Sequence, residues 1–313
     1  MDMVGLSDIK ESYPIEVARY AVKHNLDELP AYAWWVPHTL KRANRTISKV
    51  RARNIRLEKF GIRIPRAVEK AYRLDAESST NYWTDAINRE MTNVNVAFYM
   101  LELGSKAPVG YQKISCHMVF DVKFDGTRKA RFVANGNLTE TPSAITYSSV
   151  VSHYSVRILL VVAALNGLDI SACDIMNAYL TSLPREKVFF IAGREFNEFQ
   201  GRIVVVVRAL YGLKSSGAAF RNKLSETLRE LGYVSSLADP DVYLRARTKP
   251  DGHKYYEYVC CYVDDVLVLS HAPKEFMMKF EKLFALKDGY GPPKTYLGIE
   301  ILTVKIEAIE LLV

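Results

Sequence analysis

The chain has 313 residues, 49% of them hydrophobic and 25% charged, an ordinary composition for a globular protein of one large domain or two moderate ones. No run is long and apolar enough to span a membrane, and the four cysteines lack CxxC spacing, so the sequence indicates neither a zinc site nor a disulfide framework. The net charge of +7 does not by itself define a partner, and we expect a soluble intracellular protein, in a cytoplasmic particle or in the nucleus.

The first 75 residues are predicted to form a helical, basic flank. A helix is expected from about Pro14 to Lys23. Eight basic residues against one acid then crowd positions 41 to 59. Such a segment is typical either of a helix that faces phosphates or of a solvated helix face, and the residues alone leave both open. The candidate residues for nucleic-acid binding are Arg45, Lys49, Arg53 and Arg56.

A helix and a hairpin are predicted next. Ser79 or Thr80 would cap a helix that continues to about Met91. Met118, Phe120, Val122 and Phe124 then alternate with their neighbours, Asp125-Gly126 supplies a turn, and positions 128–134 return as a strand. From the residues alone, Lys129 and Arg131 are solvated strand positions.

Helices and strands alternate from residue 156 onward. The pattern predicts a core helix over 156–165 that is closed by Asn166-Gly167, and then a strand that ends at Asp174. A short helix over 177–183 and strands over 187–191 and 203–207 follow. The next predicted element is a helix after Ser216, whose inward residues are Phe220, Leu224, Leu228 and Leu231. A further amphipathic helix is predicted over 273–286, and a strand over 296–300.

Two adjacent carboxylates, Asp264 and Asp265, interrupt an apolar, β-branched run over 258–269. The run predicts two short strands joined by a tight turn at the acid pair. An exposed turn is one interpretation, because Asp is a common turn residue. Burial of the pair would instead require a cation. Asp174 also ends an apolar strand, and we expect it near the pair because two metal ions roughly 4 Å apart need shared carboxylates.

Several short motifs occur in the order found in copia-type long-terminal-repeat retrotransposons. Tyr262-Val-Asp-Asp265 resembles the YxDD motif of reverse transcriptases, and Asp174-Ile-Met-Asn-Ala-Tyr179 is similar to their DxxxAY/F motif. The other matches are Lys129-Ala-Arg-Phe-Val-Ala134, Tyr147-Ser-Ser-Val-Val151, Ala209-Leu-Tyr-Gly-Leu-Lys-Ser-Ser216 and Tyr296-Leu-Gly-Ile-Glu300. Gly217 stands where the family usually has Pro. The resemblance covers about residues 83 to 301, and the ordered set is more specific than any single motif.

The resemblance implies an α+β right-hand polymerase with fingers and palm over residues 76–313 and a mostly antiparallel palm sheet. A thumb and an RNase H domain follow in the family, and we expect the thumb to be largely absent here. The implied activity is RNA-directed DNA synthesis by a segment of a retrotransposon polyprotein. The implied partners are an RNA or DNA template with its primer, deoxynucleoside triphosphates and other parts of the retrotransposon polyprotein, with no membrane.

The resemblance also implies roles for individual residues. Asp174, Asp264 and Asp265 would be catalytic, and two Mg²⁺ ions, replaceable by Mn²⁺, would be held by Asp174, Asp264 and the backbone carbonyl of Ile175. The nucleotide would be bound by Lys129, Arg131, Tyr179, Tyr211, Gly212 and Lys214, with the Tyr179 ring excluding a ribose 2′-hydroxyl. Lys287 falls near a family lysine that protonates pyrophosphate.

Two other functions fit part of the pattern. A catalytically inactive remnant would keep the fold and bind nucleic acid through the basic segment. A nuclease would also use clustered carboxylates, but nucleases often add His or Glu ligands nearby. The closest such residues to Asp264 are Glu257 and His271, each seven positions away.

Overall fold

A computed structural model describes Arg45 and residues 58–139 and 147–302. The predicted helix near Pro14 and the candidate residues Lys49, Arg53 and Arg56 lie outside these ranges, whereas Arg45 is helical and exposed. The described residues divide into two compact units. The first unit contains Arg45 and residues 58–88 and 118–131, and the second contains 89–117, 132–139 and 147–302.

The described secondary structure is mixed. The helices are α1 (Val68–Ser78), α2 (Tyr82–Val94), α3 (His153–Leu165), α4 (Ser216–Glu230) and α5 (Pro273–Phe280). The strands are β1 (Glu58–Lys59), β2 (Ile62–Arg63), β3 (Phe98–Met100), β4 (Gln112–Lys113), β5 (Cys116–Val122), β6 (Arg128–Ala134), β7 (Asp169–Ile175), β8 (Val188–Ile191), β9 (Ile203–Val206), β10 (Val234–Ser235), β11 (Val242–Thr248), β12 (Lys254–Tyr262), β13 (Asp265–Ser270), β14 (Leu286–Gly291), β15 (Thr295–Tyr296) and β16 (Ile299–Glu300).

The start of α2 in the first unit is held by a carboxylate rather than by a hydroxyl. Asp75, on the last turns of α1, accepts hydrogen bonds from the backbone N–H groups of Trp83 (3.1 Å) and Thr84 (2.8 Å). Ser79 instead ends α1 in the left-handed conformation, with φ of 51°. The predicted cap at Ser79 or Thr80 is therefore wrong, because the first free N–H groups of α2 point at Asp75.

The hairpin predicted over 118–134 is confirmed, with β5 and β6 paired as a two-stranded sheet. At its turn the N–H of Gly126 donates to the carbonyl of Lys123 (3.0 Å), and φ of Gly126 is 79°. The alternation of β5 buries Phe120 and Val122, as expected for a strand with one inward face. Phe124 does not continue that face, because it lies in the turn with 92% of its surface exposed.

The largest sheet of the second unit has six strands in the order β10-β11-β12-β13-β7-β14, and every neighbouring pair is antiparallel. A second sheet has the order β3-β9-β8-β4, in which only β4 and β8 run parallel. The prediction of an α+β fold with mostly antiparallel sheets is thus confirmed at the level of the described secondary structure.

Both faces of the six-stranded sheet are covered, so β13 is apolar on both sides. Val266 and Val268 point into a cluster with Phe220 of α4 and Phe280 of α5. The alternate residues of β13 point into a second cluster, which contains Val156, Leu159 and Ala163 of α3. Because successive side chains of a strand point to opposite faces, a strand buried on both faces reads as a continuous apolar run.

Three predicted helices differ from the structure. Helix α3 is only half core, because Tyr154, Ile158, Val161 and Leu165 form an exposed stripe. The short helix after Asn177 is a 3₁₀ helix, Ala178–Thr181. The helix predicted over 273–286 ends at Phe280, and Leu286 already begins β14, which pairs with β7.

Candidate active site

The two acids sit at one end of the β12–β13 hairpin. Tyr262 pairs with Asp265, so the turn consists of Val263 and Asp264, and Asp265 is the first residue of β13 rather than part of the turn. Val263 has φ of 55°, and Asp264 does not have a positive φ. A two-residue turn with positive φ only at its first central position has the signature of type II′, whose twist matches that of a hairpin.

Strand β7 brings Asp174 to the same turn. Asp174 and Asp265 are register partners, and the N–H of Ile175 donates to the backbone oxygen of Asp264 (2.8 Å). That hydrogen bond lies beyond the last ladder pair and fixes the turn against the end of β7. The expected proximity of Asp174 to the acid pair is therefore confirmed, although 90 positions separate Asp174 from Asp264.

The three carboxylates repel each other. Burial, together with the negative charges of Asp264 and Asp174, raises the pKa of Asp265 to about 6. Lys287 of β14 opposes this, and its Nζ lies 3.2 Å from Oδ2 of Asp174. Since both members of that ion pair are substantially exposed, the pair stabilises the fold little but leaves one cation beside the carboxylates.

The carboxylates fit a hard divalent cation. Within the described ranges, no three His, Cys, Asp or Glu side chains are arranged to hold a metal ion by themselves. Mg²⁺ is usually bound by one or two carboxylates, with substrate phosphates and water completing the octahedron. Asp174 and Asp264 could therefore hold Mg²⁺ together with a triphosphate.

Tyr179 belongs to an aromatic group beside β7. Tyr179 lies in the 3₁₀ helix Ala178–Thr181. This helix begins after Asn177, whose φ of 53° turns the chain out of its extended conformation. The ring centroid of Tyr179 is 4.8 Å from that of Tyr211 and 6.2 Å from that of Phe220. The structure thus brings Tyr179 and Tyr211 together, and both residues are partly exposed.

The segment from Leu210 to Ser216 is a tight turn between β9 and α4. The backbone oxygen of Tyr211 accepts from the N–H of Ala134 (2.8 Å), and Gly212 has φ of +91°. A Cβ on Gly212 would lie 2.0 Å from the oxygen of Ala134, so only glycine fits there. The ammonium group of Lys214 donates to the carbonyl of Thr139 (2.6 Å).

A buried glutamate anchors the same turn, and the sequence pattern did not predict it. One carboxylate oxygen of Glu186 accepts the N–H of Ser215 (2.8 Å), and the other accepts the Ser215 hydroxyl in a short hydrogen bond. The hydroxyl oxygen also accepts from the N–H of Arg185 (3.1 Å). The one sequence signal for this contact was an acid just before an apolar strand, in Glu186-Lys187-Val188. That acid has no characteristic spacing to the Leu210–Ser216 turn.

Two further motifs support the β12–β13 hairpin. The hydroxyl oxygen of Tyr296, in β15, lies 3.3 Å from the backbone oxygens of both Cys260 and Asp265. In the second motif, the N–H of Val151 donates to the carbonyl of Cys261 (3.0 Å). Tyr296 and the Tyr147–Val151 motif therefore hold β12 and β13 in place and add no carboxylate to the acid cluster.

The remaining described candidates belong to the first unit. Lys129 and Arg131 are on β6 in the first unit, with Lys129 half-buried and Arg131 exposed. The carboxylates, Tyr179 and the Leu210–Ser216 turn belong to the second unit. Among the nucleic-acid-binding candidates, only Arg45 is described, and it is an exposed helical residue. Across the described ranges, no helix combines the length and hydropathy needed to cross a membrane.

Comparison with known proteins gives a consistent result. A family model described as reverse transcriptase (RNA-dependent DNA polymerase) matches residues 101–311. The Pol polyprotein from transposon RE1 of Arabidopsis thaliana is 28% identical over 231 residues, which cover 70% of this chain and 15% of that polyprotein. The corresponding polyprotein from transposon TNT 1-94 of Nicotiana tabacum is 28% identical over 240 residues (71% and 17%). The Ty1-LR2 Gag-Pol polyprotein of Saccharomyces cerevisiae is 27% identical over 180 residues (56% and 10%).

These relatives are copia-type Pol polyproteins, as the motifs predicted, and the chain spans only a small part of their length. The family match covers most of the chain and includes every catalytic candidate. The chain therefore belongs to the reverse transcriptase (RNA-dependent DNA polymerase) family.

Proposed function

We propose that this chain is the fingers and palm of a retrotransposon reverse transcriptase and extends a DNA primer on an RNA or DNA template. The observation that carries the proposal is the pairing of β7 with the β12–β13 hairpin, which joins Asp174 to the Val263-Asp264 turn. The six-stranded antiparallel sheet would be the palm, and the β5–β6 hairpin would belong to the fingers. The boundary between the flank and the polymerase near residue 75 is part of the proposal.

Each carboxylate, and Lys287, would have one role in nucleotide transfer. Asp174 and Asp264 would bind Mg²⁺, helped by the carbonyl of Ile175, and Asp265 would add negative charge from the start of β13. When bound, Mg²⁺ (or Mn²⁺) favours loss of the primer 3′-hydroxyl proton and stabilises charge on the triphosphate. Lys287, whose Nζ lies 3.2 Å from Oδ2 of Asp174, would donate a proton to the leaving pyrophosphate.

The incoming deoxynucleoside triphosphate would be held by three groups of residues. Lys129 and Arg131 match phosphate oxygens by charge and by the planar guanidinium fork. Gly212, Tyr211 and Lys214 would contribute the turn that Glu186 anchors. Tyr179 would lie under the sugar and exclude a 2′-hydroxyl. The template and primer, and other segments of a polyprotein, would be the macromolecular partners inside the cell.

Primer extension on a homopolymeric RNA template with the purified chain tests this function. We expect Mg²⁺-dependent extension that falls at least about a hundredfold in Asp264→Asn, because metal ions supply several kcal/mol of transition-state stabilisation. Asp251→Asn is the matched control, since Asp251 occupies the turn before β12 at the other end of the same strand.

Three results would decide among the candidate functions. Extension in both Asp→Asn variants at the wild-type rate would remove the catalytic role of Asp264. Absence of extension by the wild-type chain, with retained primer-template binding, would favour the inactive remnant. Metal-dependent nicking of the template without extension would favour a nuclease.

A further inference from the structure

The aromatic pair of the site is carried by two separate segments of the chain. Tyr179 lies in the 3₁₀ helix that follows β7, and Tyr211 lies in the Leu210–Ser216 turn before α4. The centroids of the two rings are 4.8 Å apart, and both rings are partly exposed. The placement of one ring against the other therefore depends on how the segment after β7 is fixed to the turn.

Glu186 joins these two segments. It lies seven positions after Tyr179 and is only 8% exposed. Its carboxylate accepts hydrogen bonds from the N–H of Ser215 (2.8 Å) and from the hydroxyl of the same residue. The Ser215 hydroxyl oxygen accepts in turn from the N–H of Arg185 (3.1 Å). Because Ser215 is the N-cap residue of α4, the carboxylate also faces the end of a helix where negative charge is favoured.

The turn that Glu186 anchors is closed by its own hydrogen bonds. The hydroxyl of Ser216 donates to the carbonyl of Leu210 (2.6 Å), and the N–H of Leu213 donates to the same carbonyl (3.3 Å). These bonds join the beginning of the turn to its end. A displacement of Ser215 would therefore be transmitted to Tyr211.

We propose that Glu186 is a positioning residue for the incoming nucleotide. Through Ser215 it holds the turn so that the Tyr211 ring supports the Tyr179 ring, and this support determines how strongly a ribose 2′-hydroxyl is excluded. Glu186 itself touches neither the nucleotide nor a metal ion. The inference rests on the proposed function, because it requires a deoxynucleoside triphosphate bound beside Tyr179.

Two substitutions weaken the contact between Glu186 and Ser215 to different degrees. The amide in Glu186→Gln has one acceptor oxygen and one NH₂ group, so one of the two Ser215 donors loses its acceptor. Because a buried donor without an acceptor is costly, the turn should shift towards other partners. Ser215→Ala removes only the hydroxyl and is the milder change.

Calorimetric titration of dUTP and UTP measures the effect without a chemical step. The full chain is mixed with Mg²⁺, an oligoadenosine template and a thymidine primer that ends in a dideoxynucleotide. The two triphosphates differ only in the 2′-hydroxyl, and we expect the wild type to prefer dUTP.

In Glu186→Gln, the affinity for dUTP should fall about tenfold and the preference for dUTP over UTP should fall severalfold, because both depend on exact placement of the rings. Ser215→Ala should change both quantities in the same direction but less. The double variant should be no worse than Glu186→Gln, since the two substitutions break the same contact.

Glu257→Gln is the matched control, because Glu257 is also a buried carboxylate that accepts a serine hydroxyl, that of Ser270 (2.7 Å). It lies on β12, whereas Tyr179 and Tyr211 lie on other segments. This variant should lose stability but keep the wild-type preference for dUTP. All titrations are made at a temperature at which circular dichroism shows each variant to be folded.

Four results would each overturn the proposal. They are a wild-type preference for dUTP in both Glu186→Gln and Ser215→Ala, an equal loss of preference in Glu257→Gln, no preference in the wild type, and no binding of either triphosphate by the wild type. The blocked primer cannot be extended in this assay. A wild-type chain that prefers dUTP here but does not extend an ordinary primer would therefore contradict the polymerase activity and leave the role of Glu186 standing.

Discussion

Val263 adopts a backbone conformation that β-branched residues rarely occupy. With φ of 55° it is the first central residue of the turn that carries Asp264, a position where glycine is usual. Such conformations cost of order 1–3 kcal/mol and persist only where surrounding structure enforces them. Here the enforcement comes from the ladder on both sides of β13 and from the Ile175 to Asp264 hydrogen bond. The turn is thus held rigidly beside the end of β7 that carries Asp174.

Replacing Tyr179 by Val should relax the choice of sugar. If the ring excludes a 2′-hydroxyl, the ratio of kcat/KM for deoxynucleotides over ribonucleotides should fall at least about tenfold, a change of about 1.4 kcal/mol in relative barrier. Tyr179→Phe keeps the ring that packs on Tyr211 and should retain the wild-type ratio. Steady-state incorporation of the two triphosphates measures this ratio of kcat/KM. Equal ratios in the wild type, Tyr179→Val and Tyr179→Phe would contradict the steric role.

Gly212→Ala should destabilise the second unit strongly. The added methyl group would lie 2.0 Å from the oxygen of Ala134 in a backbone with φ of +91°, so the backbone itself must shift. We expect a loss of about 3 kcal/mol or more in the free energy of unfolding, measured by urea denaturation. Gly201→Ala is the matched control, because Gly201 has φ of +84° but its added methyl group would have nothing within 4 Å, so the loss should be only about 1 kcal/mol.

A buried polar network ties β11, β12 and β13 together. The Glu257 carboxylate of β12 accepts from Arg245 of β11 (2.7 Å), from the hydroxyl of Ser270 (2.7 Å) and from that of Tyr233 (3.0 Å). Burial raises the pKa of Glu257, but the hydrogen bonds from Ser270 and Arg245 outweigh burial and hold it below its usual range. The network lies at the end of the sheet away from the carboxylates, since Ser270 ends β13 where Asp265 begins it.

Glu257→Gln should lower stability in a pH-dependent way. A carboxylate whose pKa is lower in the folded state stabilises the fold above its unfolded pKa of about 4.3, and that contribution is lost as pH falls further. We therefore expect the variant to lose about 2–4 kcal/mol in the free energy of unfolding at pH 7, and the difference from wild type to shrink on acidification. Denaturant titrations between neutral and acidic pH measure it.

The control for this change is Glu77→Gln, which removes an exposed ion pair with Arg63. That variant should match the wild type throughout the pH range, because exposed pairs contribute little. A stability loss in Glu257→Gln that stays constant down to strongly acidic pH would show that the network does not depend on the carboxylate charge.

The hydrophobic periodicity of the sequence identified most of the helices and strands. It did not determine where they end or which of their faces are exposed. An apolar run such as that of α3 predicts burial all round, whereas the stripe from Tyr154 to Leu165 is exposed, since only tertiary packing decides which face meets the sheet. Likewise, the pattern after Pro273 continues as if helical, but pairing with β7 draws Leu286 into a strand. The cap of α2 was missed because Asp75 lies seven residues before the helix.

The basic segment over residues 41–59 should govern the salt dependence of binding to nucleic acid. Changing Arg45, Lys49, Arg53 and Arg56 to Gln should weaken primer-template binding for all sequences. It should also reduce the slope of log affinity against log salt by up to about 3–4, because each phosphate contact releases counterions. Anisotropy titrations at several salt concentrations measure both quantities.

The matched control neutralises four exposed basic residues of the second unit, namely Arg229, Lys274, Lys279 and Lys282. If the salt slope changes equally in both variants, binding follows net charge alone. If it changes in neither, the basic segment is a solvated face, the other interpretation that its sequence allowed.

The proximity of the three carboxylates could be predicted from sequence, because a charge within an apolar strand is costly unless it is paired. Asp174, Asp264 and Asp265 stand out as charges in apolar strands, and antiparallel pairing brings them together. The contact of Glu186 with Ser215 and that between the rings of Phe60 and Phe124 could not be predicted, because they join segments 29 and 64 positions apart without a repeating pattern. A motif of fixed spacing can be recognised in the sequence, whereas these two contacts form only when the chain is folded.

Strand β7, which carries Asp174, has a consequence for synthesis on the ribosome. Both of its neighbours in the sheet, β13 and β14, come later in the chain, and β13 begins about 90 residues after β7 ends. At ordinary translation rates, β7 waits roughly 5–20 s before its first partner is made. During that time an apolar strand with two unpaired edges is open to pairing with other nascent chains. We expect such a chain to depend on chaperones and the site to form only after release of β13 from the ribosome.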